Sequence, residues 1–156
     1  MDDADLDALL DSGVSMLGAC AVDGLAPEAF RVWGASIDDQ GRLRMLVSGD
    51  ATRTLASVEA GVRMSFVVTD VTTFRSLQVK GPATGPPEPP TNVDISCLRR
   101  YHRTFVDALA VIGHPPLLAE RLRPLSVQAV TMGIEAVFDQ SPGPVAGAPL
   151  GSVAGA

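Results

Sequence analysis

Alternation of apolar and polar residues constrains the fold of this chain more than any other feature of its sequence. In the clearest segment the apolar residues Val62, Met64, Phe66 and Val68 alternate with Arg63, Ser65 and Thr69. Successive side chains of a β-strand point to opposite faces, so this spacing predicts a strand with one buried face. Five of the six strands predicted for the chain show the pattern. One-faced burial is typical of antiparallel sheets, because strands of parallel sheets are continuously apolar.

The pattern predicts a mainly β fold with flanking helices (α+β), an antiparallel barrel with the helices packed outside it. The predicted strands are residues 14–22, 30–37, 43–47, 62–69, 73–84 and 126–138. The predicted helices are residues 2–11 (ended by Gly13), 50–60 (capped by Asp50), 94–112 and 117–122, and Asp23-Gly24 and residues 38–41 are predicted turns. A chain of 156 residues fits one domain. We place that domain at residues 1–145 and predict a flexible tail at 146–156.

Charge and composition restrict the partners of the chain. The formal net charge of -6 disfavours the phosphate backbone of nucleic acids and anionic membrane surfaces. No apolar run is long enough to span a bilayer, and the acidic N-terminus does not resemble a targeting peptide. We therefore expect a cytoplasmic protein. Cys20 lies in an apolar alternating stretch and Cys97 in a helical one, so both are predicted to be buried thiols in a reducing compartment. Neither takes part in a metal-binding spacing.

One predicted strand carries a row of polar side chains. If Leu77 and Val79 are buried, then Ser76, Gln78 and Lys80 share the opposite face. Their hydroxyl, amide and ammonium groups would follow one another at intervals of about 7 Å. Such a row suits a planar ligand that forms several hydrogen bonds, and the alternative is the solvated outer face of an ordinary strand.

A second candidate region is Ser48 to Thr54, where a strand leads into a helix. Helix N-termini favour anions, and Thr52, Arg53 and Thr54 add hydroxyl groups and a guanidinium group. The segment is a candidate phosphate site, and ordinary helix capping with an exposed arginine is the alternative.

A third candidate is Arg31-Val32-Trp33-Gly34. Arg31 and Trp33 share one face of a predicted strand, where Trp33 lines a site or belongs to the core. The sequence contains no nucleophile elbow and no phosphate-binding P-loop. No pairing of histidine with cysteine or serine suggests nucleophilic catalysis.

The order of these motifs, from Arg31 to Gly81, resembles that of the pyridoxamine 5′-phosphate oxidase-like split β-barrels, which bind FMN. The resemblance covers residues 10 to 145 and includes the ending from Phe138 to Pro144. It implies a six-stranded antiparallel split β-barrel that forms a homodimer, with the flavin at the subunit interface. The residues it assigns to the cofactor are Arg31, Val32, Trp33, Gly34, Ser48, Thr52, Arg53, Thr54, Ser76, Gln78, Lys80 and Gln140. Among these, Thr52 to Thr54 would hold the phosphate, and Gln140 would reach the partner's site.

The chain departs from the vitamin oxidases of this family at three places. Ala35 or Ser36 and Thr54 stand where those enzymes carry basic residues, and the C-terminal arginine-histidine substrate motif is absent. The expected function is therefore that of an FMN-dependent oxidoreductase, a flavoprotein, with an unassigned small-molecule substrate other than pyridoxamine phosphate. Two alternatives stay open. One is a non-catalytic module for flavin or haem, with His102, His114, Cys20 or a methionine as the axial ligand of haem, and the other is a deazaflavin-dependent reductase.

Overall fold

The computed structural model describes residues 3–12, 14–21 and 26–151 of the chain, and within them it has four helices and eight strands. The helices are α1 (Asp3–Leu10), α2 (Thr52–Ser57), α3 (Asn92–Val111) and α4 (Pro116–Glu120). The strands are β1 (Val14–Ala21), β2 (Glu28–Ile37), β3 (Leu43–Ser48), β4 (Arg63–Asp70), β5 (Ser76–Pro82), β6 (Val127–Met132), β7 (Ala136–Asp139) and β8 (Pro149–Gly151). The mainly β, α+β class is confirmed, whereas the predicted number of six strands is wrong.

All strand pairs are antiparallel, and the strands follow one another in the order β6-β3-β2-β1-β4-β5-β7-β8. Beyond the end of β5, Ala83 pairs with Met132 of β6 through an isolated bridge. The two sides of the sheet therefore approach each other at that point. The sheet is therefore curved, and the core lies on its inner face. Met16, Phe66 and Val79 are among the fully buried side chains of this core.

The predicted strand 126–138 is two strands, because the chain changes partners at Gly133. β6 pairs with β3, whereas β7 pairs with β5. At the crossing, the N–H of Gly133 donates to the carbonyl of Pro82, and a Cβ placed on Gly81 would collide with the carbonyl oxygen of Gly133. The bend also reverses the alternation, so that Val137 is buried while Phe138 lies on the outer face.

Helix α3 begins with a capping box in which Thr91 and Asp94 exchange hydrogen bonds. This cap places the helix start at Asn92, earlier than predicted, and buries Asp94. The Asp94 carboxylate accepts two hydrogen bonds from the Arg44 guanidinium group at 3.0 Å each, which ties α3 to β3. Alternation and helical spacing did not indicate this buried ion pair.

Several predicted details differ in the structure or fall outside its described residues. Helix α2 is capped by Ala51 without a side-chain hydrogen bond, so Asp50 is not its cap. Part of the predicted tail, Pro149–Gly151, pairs with β7 as strand β8. Gly13, the turn at Asp23-Gly24 and residues 152–156 lie outside the described residues. Within the described part of the chain, no helix is both long enough and apolar enough to cross a membrane.

Candidate cofactor site

A cavity of about 340 Å³ opens beside β2, at the point where β3 leads into α2. Its lining comprises Glu28, Ala29, Phe30, Arg31, Trp33, Ser48, Asp50 and Ala51. A second cavity of about 360 Å³ shares Trp33, Ser48 and Asp50 with the first and continues toward residues 123–126. We call Arg31, Trp33 and Ser48 the β2 group. The sequence predicted all three for the cofactor, and the structure brings them together.

Arg31 is held in place by the protein on several sides. Its Nη1 donates to the Ser15 hydroxyl at 3.2 Å, and its Nη2 donates to the Tyr101 hydroxyl at 2.9 Å. The guanidinium carbon lies 5.0 Å from the ring centre of Trp33 and 4.9 Å from that of Phe105. Burial raises the pKa of Tyr101 to about 12 against the opposing effect of Arg31, so the phenol stays protonated at neutral pH.

Two nitrogen atoms of the β2 group are shielded from solvent and have no hydrogen-bond partner among the described residues. They are Nε of Arg31 and Nε1 of Trp33. Leaving a buried donor unpaired costs about 1–3 kcal/mol. Both residues line the cavity beside β2, where a ligand with acceptor atoms would be close to them.

Val32 and Gly34 are the sequence neighbours of Trp33, but neither of them lines the two cavities. The Val32 side chain is fully buried in the core. Gly34 lies at the irregularity where the β2–β3 register shifts, with φ of 144°. A Cβ there would lie 3.4 Å from the Cys97 sulfur atom. Val32 can therefore reach a ligand only through its backbone, and Gly34 lets β2 bend past α3.

The predicted phosphate site is divided between the surface and the interior. Thr52 and Arg53 are exposed at the start of α2, whereas Thr54 is fully buried beside Cys20. Arg53 Nε lies 3.8 Å from a carboxylate oxygen of Glu28, and its side chain is 77% exposed. Such an exposed ion pair contributes at most about 1 kcal/mol, so Arg53 is available to another anion.

The other predicted residues form a second group, on β5 and just beyond β7. We call Ser76, Gln78, Lys80 and Gln140 the β5 group. The hydroxyls of Ser76 and Thr69 are hydrogen-bonded at 2.7 Å. Gln78 donates to the Ser65 hydroxyl at 2.9 Å and accepts from the Gln140 amide at 3.1 Å. Lys80 is exposed, with its ammonium nitrogen 4.8 Å from the centre of the Phe138 ring. The prediction that Gln78 and Lys80 lie on the face opposite the buried Leu77 and Val79 is confirmed.

Strand register places the two groups on the same face of the sheet. Arg31 pairs with Leu17, Leu17 pairs with Val67, and Val67 pairs with Gln78. Directly paired residues point to the same face, so Arg31 and Gln78 are three strands apart, or about 14 Å. Within one chain, the two groups therefore do not form a single cleft.

Some residues of this region were missed by sequence analysis. Arg123 to Ser126 line the second cavity from an irregular segment after α4, which has no periodicity to identify it. Tyr101, which positions Arg31, lies inside the predicted helix 94–112 and was not assigned to the site. The Asp50 carboxylate borders both cavities, and it was interpreted only as a helix cap.

The candidate axial ligands of haem differ in accessibility. His114 is exposed, and the methionines on the described strands are buried in the core. Burial, together with the Glu28 carboxylate, raises the pKa of the Cys20 thiol, so this sulfur atom stays protonated at neutral pH. His102 has a solvent-shielded Nε2 without a hydrogen-bond partner in the described part of the chain, which distinguishes it from the others.

Comparison with known proteins supports the fold. No family model and no curated protein match the chain. The crystal structure of HupZ from Group A Streptococcus matches with a TM-score of 0.56 and 12% sequence identity, covering 94% of this chain and 100% of that one. A second solved structure matches with a TM-score of 0.48 and 16% identity, over 89% of this chain and 85% of that one. The likeness to HupZ identifies a split-barrel-like fold and carries no activity with it.

Proposed function

We propose that this protein binds FMN in the cavity beside β2 and is a flavin-dependent oxidoreductase of the pyridoxamine 5′-phosphate oxidase-like type. The observation that carries the proposal is that Arg31 and Trp33 line one cavity and that each has a buried N–H, Nε and Nε1, without a partner among the described residues. The isoalloxazine ring of a flavin carries carbonyl oxygens and ring nitrogens along one edge. Those acceptors suit two fixed N–H groups with an aromatic ring beside them.

The phosphate of FMN would lie toward the start of α2. The Arg53 guanidinium group would exchange its exposed contact with Glu28 for a bidentate contact with the phosphate. The Thr52 hydroxyl is exposed at the neighbouring position and would add a donor. Thr54 supports this end of the site from inside, because its side chain is buried.

We further propose a homodimer that joins the two predicted groups. Leu17 lies between them and is 50% exposed, flanked by the half-buried Val67. An exposed apolar strip bordered by polar residues is typical of an interface. A second copy packed on this face would bring the β5 group of one chain toward the β2 group of the other. Size-exclusion chromatography with light scattering should show a dimer for the native chain and a monomer for Leu17→Glu.

The bound flavin would supply the redox chemistry, transferring a hydride at its N5 atom. The residues of this chain would bind and orient it. Arg31 is fixed by Ser15 and Tyr101, so its Nε–H holds one direction, and Trp33 covers the guanidinium group with its ring. No protein acid or base is required for this role.

An absorption spectrum of the purified protein, followed by titration with FMN, tests the proposal. We expect saturable binding of one FMN per chain, with quenching of flavin fluorescence. The protein has one tryptophan, so the emission of Trp33 should change in the same titration. Absence of flavin in the purified protein, together with no response to added FMN, would contradict the proposal. Competition between FMN and a deazaflavin in the same cell distinguishes those two cofactors.

Haem is a second candidate because of His102. An axial imidazole binds iron through the lone pair of an unprotonated ring nitrogen, and Nε2 of His102 has no hydrogen-bond partner among the described residues. Reconstitution with haem tests this function through the Soret band. A band that is lost in His102→Gln and kept in His114→Gln would favour haem over flavin.

A further inference from the structure

A third cavity, of about 220 Å³, lies between α3 and the segment that follows α4. Its lining comprises Leu98, Arg99, His102, Arg123 and Pro124. None of these residues was assigned to the flavin, although His102 is also a candidate axial ligand of haem. The cavity combines two guanidinium groups and an imidazole with two apolar side chains.

The arginines of this acidic protein differ in whether a carboxylate neutralises them. Arg44, Arg63 and Arg100 form ion pairs with carboxylates at 2.7–3.0 Å. Among the residues that the structure describes, Arg99 and Arg123 have no such partner. Two unpaired cations on one cavity create a local positive potential although the chain has a net charge of -6.

His102 adds a second, independent indication of a ligand. Its Nε2 atom is shielded from solvent and lacks a hydrogen-bond partner in the described ranges. His102 lines the cavity, and a ring N–H turned toward a bound anion would donate to its oxygen atom. Leu98 and Pro124 would contact an apolar part of the same molecule.

We propose that this cavity binds a small organic anion, a carboxylate or phosphate ester with an apolar body. The cavity shares Arg123 and Pro124 with the one that Trp33 and Ser48 line. If the proposed function is correct, the anion site adjoins the flavin, and the substrate is an anion held by Arg99 and Arg123. That last step rests on the proposed function, whereas binding of the anion does not.

Nuclear magnetic resonance of the histidine rings tests the proposal in protein without flavin. The chain has two histidines, and His114 is an exposed internal control. At constant pH, we expect benzoate to shift the His102 resonances saturably and to leave those of His114 unchanged. Benzyl alcohol and benzylammonium, which lack the negative charge, should produce no saturable shift. Inorganic phosphate is the second anion probe. Tighter binding of phosphate than of benzoate would support the site and assign it to a phosphate group.

Substitutions of single arginines test whether benzoate binds in this cavity. Arg123→Gln and Arg99→Gln should each weaken benzoate binding at least tenfold, since each removes a charged hydrogen-bond donor. Arg103→Gln is the control, because Arg103 is exposed on the same helix and does not line the cavity. The proposal is overturned if neither anion shifts His102 saturably, if benzyl alcohol acts equally, or if Arg103→Gln weakens binding as much as Arg123→Gln. Failure of FMN binding would leave this result unaffected, so the two proposals fail separately.

Discussion

The β2 group and the β5 group lie on one sheet face and contain similar polar atoms, but they differ in how those atoms are satisfied. In the β5 group, Gln78 already bonds to Ser65 and Gln140. In the β2 group, Arg31 and Trp33 each keep a buried N–H without a protein partner in the described residues. A paired row is stable without a ligand, whereas unpaired buried donors reduce stability until a ligand accepts their hydrogen bonds. The β2 group is therefore the stronger candidate for the primary contact with a cofactor.

The two groups also differ in what supports them. Helix α3 packs against β2 and supplies the Tyr101 hydroxyl to Arg31. The β5 group is supported by hydrogen bonds between neighbouring strands and the residues after β7. Changes in α3 should therefore disturb the β2 group and leave the β5 group intact.

The largest expected effect is a loss of protein stability in Asp94→Asn, because this substitution weakens the attachment of α3 to β3. Burial of Asp94 would by itself raise the pKa of its carboxyl, but hydrogen bonds from Arg44 and Thr91 hold that pKa below its ordinary value of 3.8. A carboxyl whose pKa is lowered by folding stabilises the protein above its unfolded pKa, near 4, and this contribution is lost as the pH falls through the folded pKa. Urea unfolding at neutral pH should show a loss of about 3 kcal/mol, because Arg44 keeps its charge without its main partner.

Asp94→Asn also tests whether the β2 group depends on the attachment of α3. The stability of Asp94→Asn should fall less steeply with acid from about pH 4 downward, and its Trp33 fluorescence should change at neutral pH. Asp107→Asn is the control, since Asp107 is exposed on the same helix. Equal losses in the two variants would show that the ion pair with Arg44 does not anchor α3.

A smaller loss of protein stability is expected for Arg31→Met. This substitution retains an unbranched side chain and removes the guanidinium group. The variant removes the hydrogen bonds to Ser15 and Tyr101 and leaves the buried Tyr101 hydroxyl without its donor. We expect the free energy of unfolding to fall by about 2 kcal/mol and FMN binding to be lost. Arg53→Met should leave stability unchanged, because the Arg53 side chain is exposed. A stable Arg31→Met protein that still binds FMN would remove Arg31 from the site.

Sequence patterns predicted the parts of this structure that depend on local periodicity. The facing of Leu77 and Val79 followed from alternation, and the helix predicted over residues 94–112 corresponds to α3. Tertiary contacts determined the remainder. The crossing at Gly133 depends on close approach to Pro82, and the burial of Asp94 depends on Arg44, which lies far away in the sequence.

The candidate site was predictable to a similar extent. Arg31, Trp33 and Ser48 were selected from their motifs, and the structure places them on one cavity. The burial of Thr54 was not predictable, because a six-residue helix shows too little periodicity to define a face. Arg123 was missed because it lies in an irregular segment.

Trp33→Phe isolates one of the unpaired donors. The substitution removes the indole N–H and keeps an aromatic ring for contact with Arg31. We expect FMN affinity to fall about tenfold, or about 1.4 kcal/mol, with little loss of protein stability. Flavin fluorescence quenching measures the affinity, and thermal unfolding without flavin measures the stability. An unchanged dissociation constant would mean that the Trp33 donor does not contact the cofactor.

The smallest effect is expected for Gln78→Met, the matching change in the β5 group. Gln78 uses its amide within the protein, donating to Ser65 and accepting from Gln140, so a flavin would gain little from it directly. The substitution keeps the length of the side chain and should weaken FMN binding about threefold, or about 0.6 kcal/mol. Fluorescence titration of Gln78→Met and Trp33→Phe under the same conditions gives the comparison. A larger loss in Gln78→Met than in Trp33→Phe would reverse the ranking of the two groups. The primary contact with the cofactor would then lie on β5, and the unpaired donors of β2 would require another ligand.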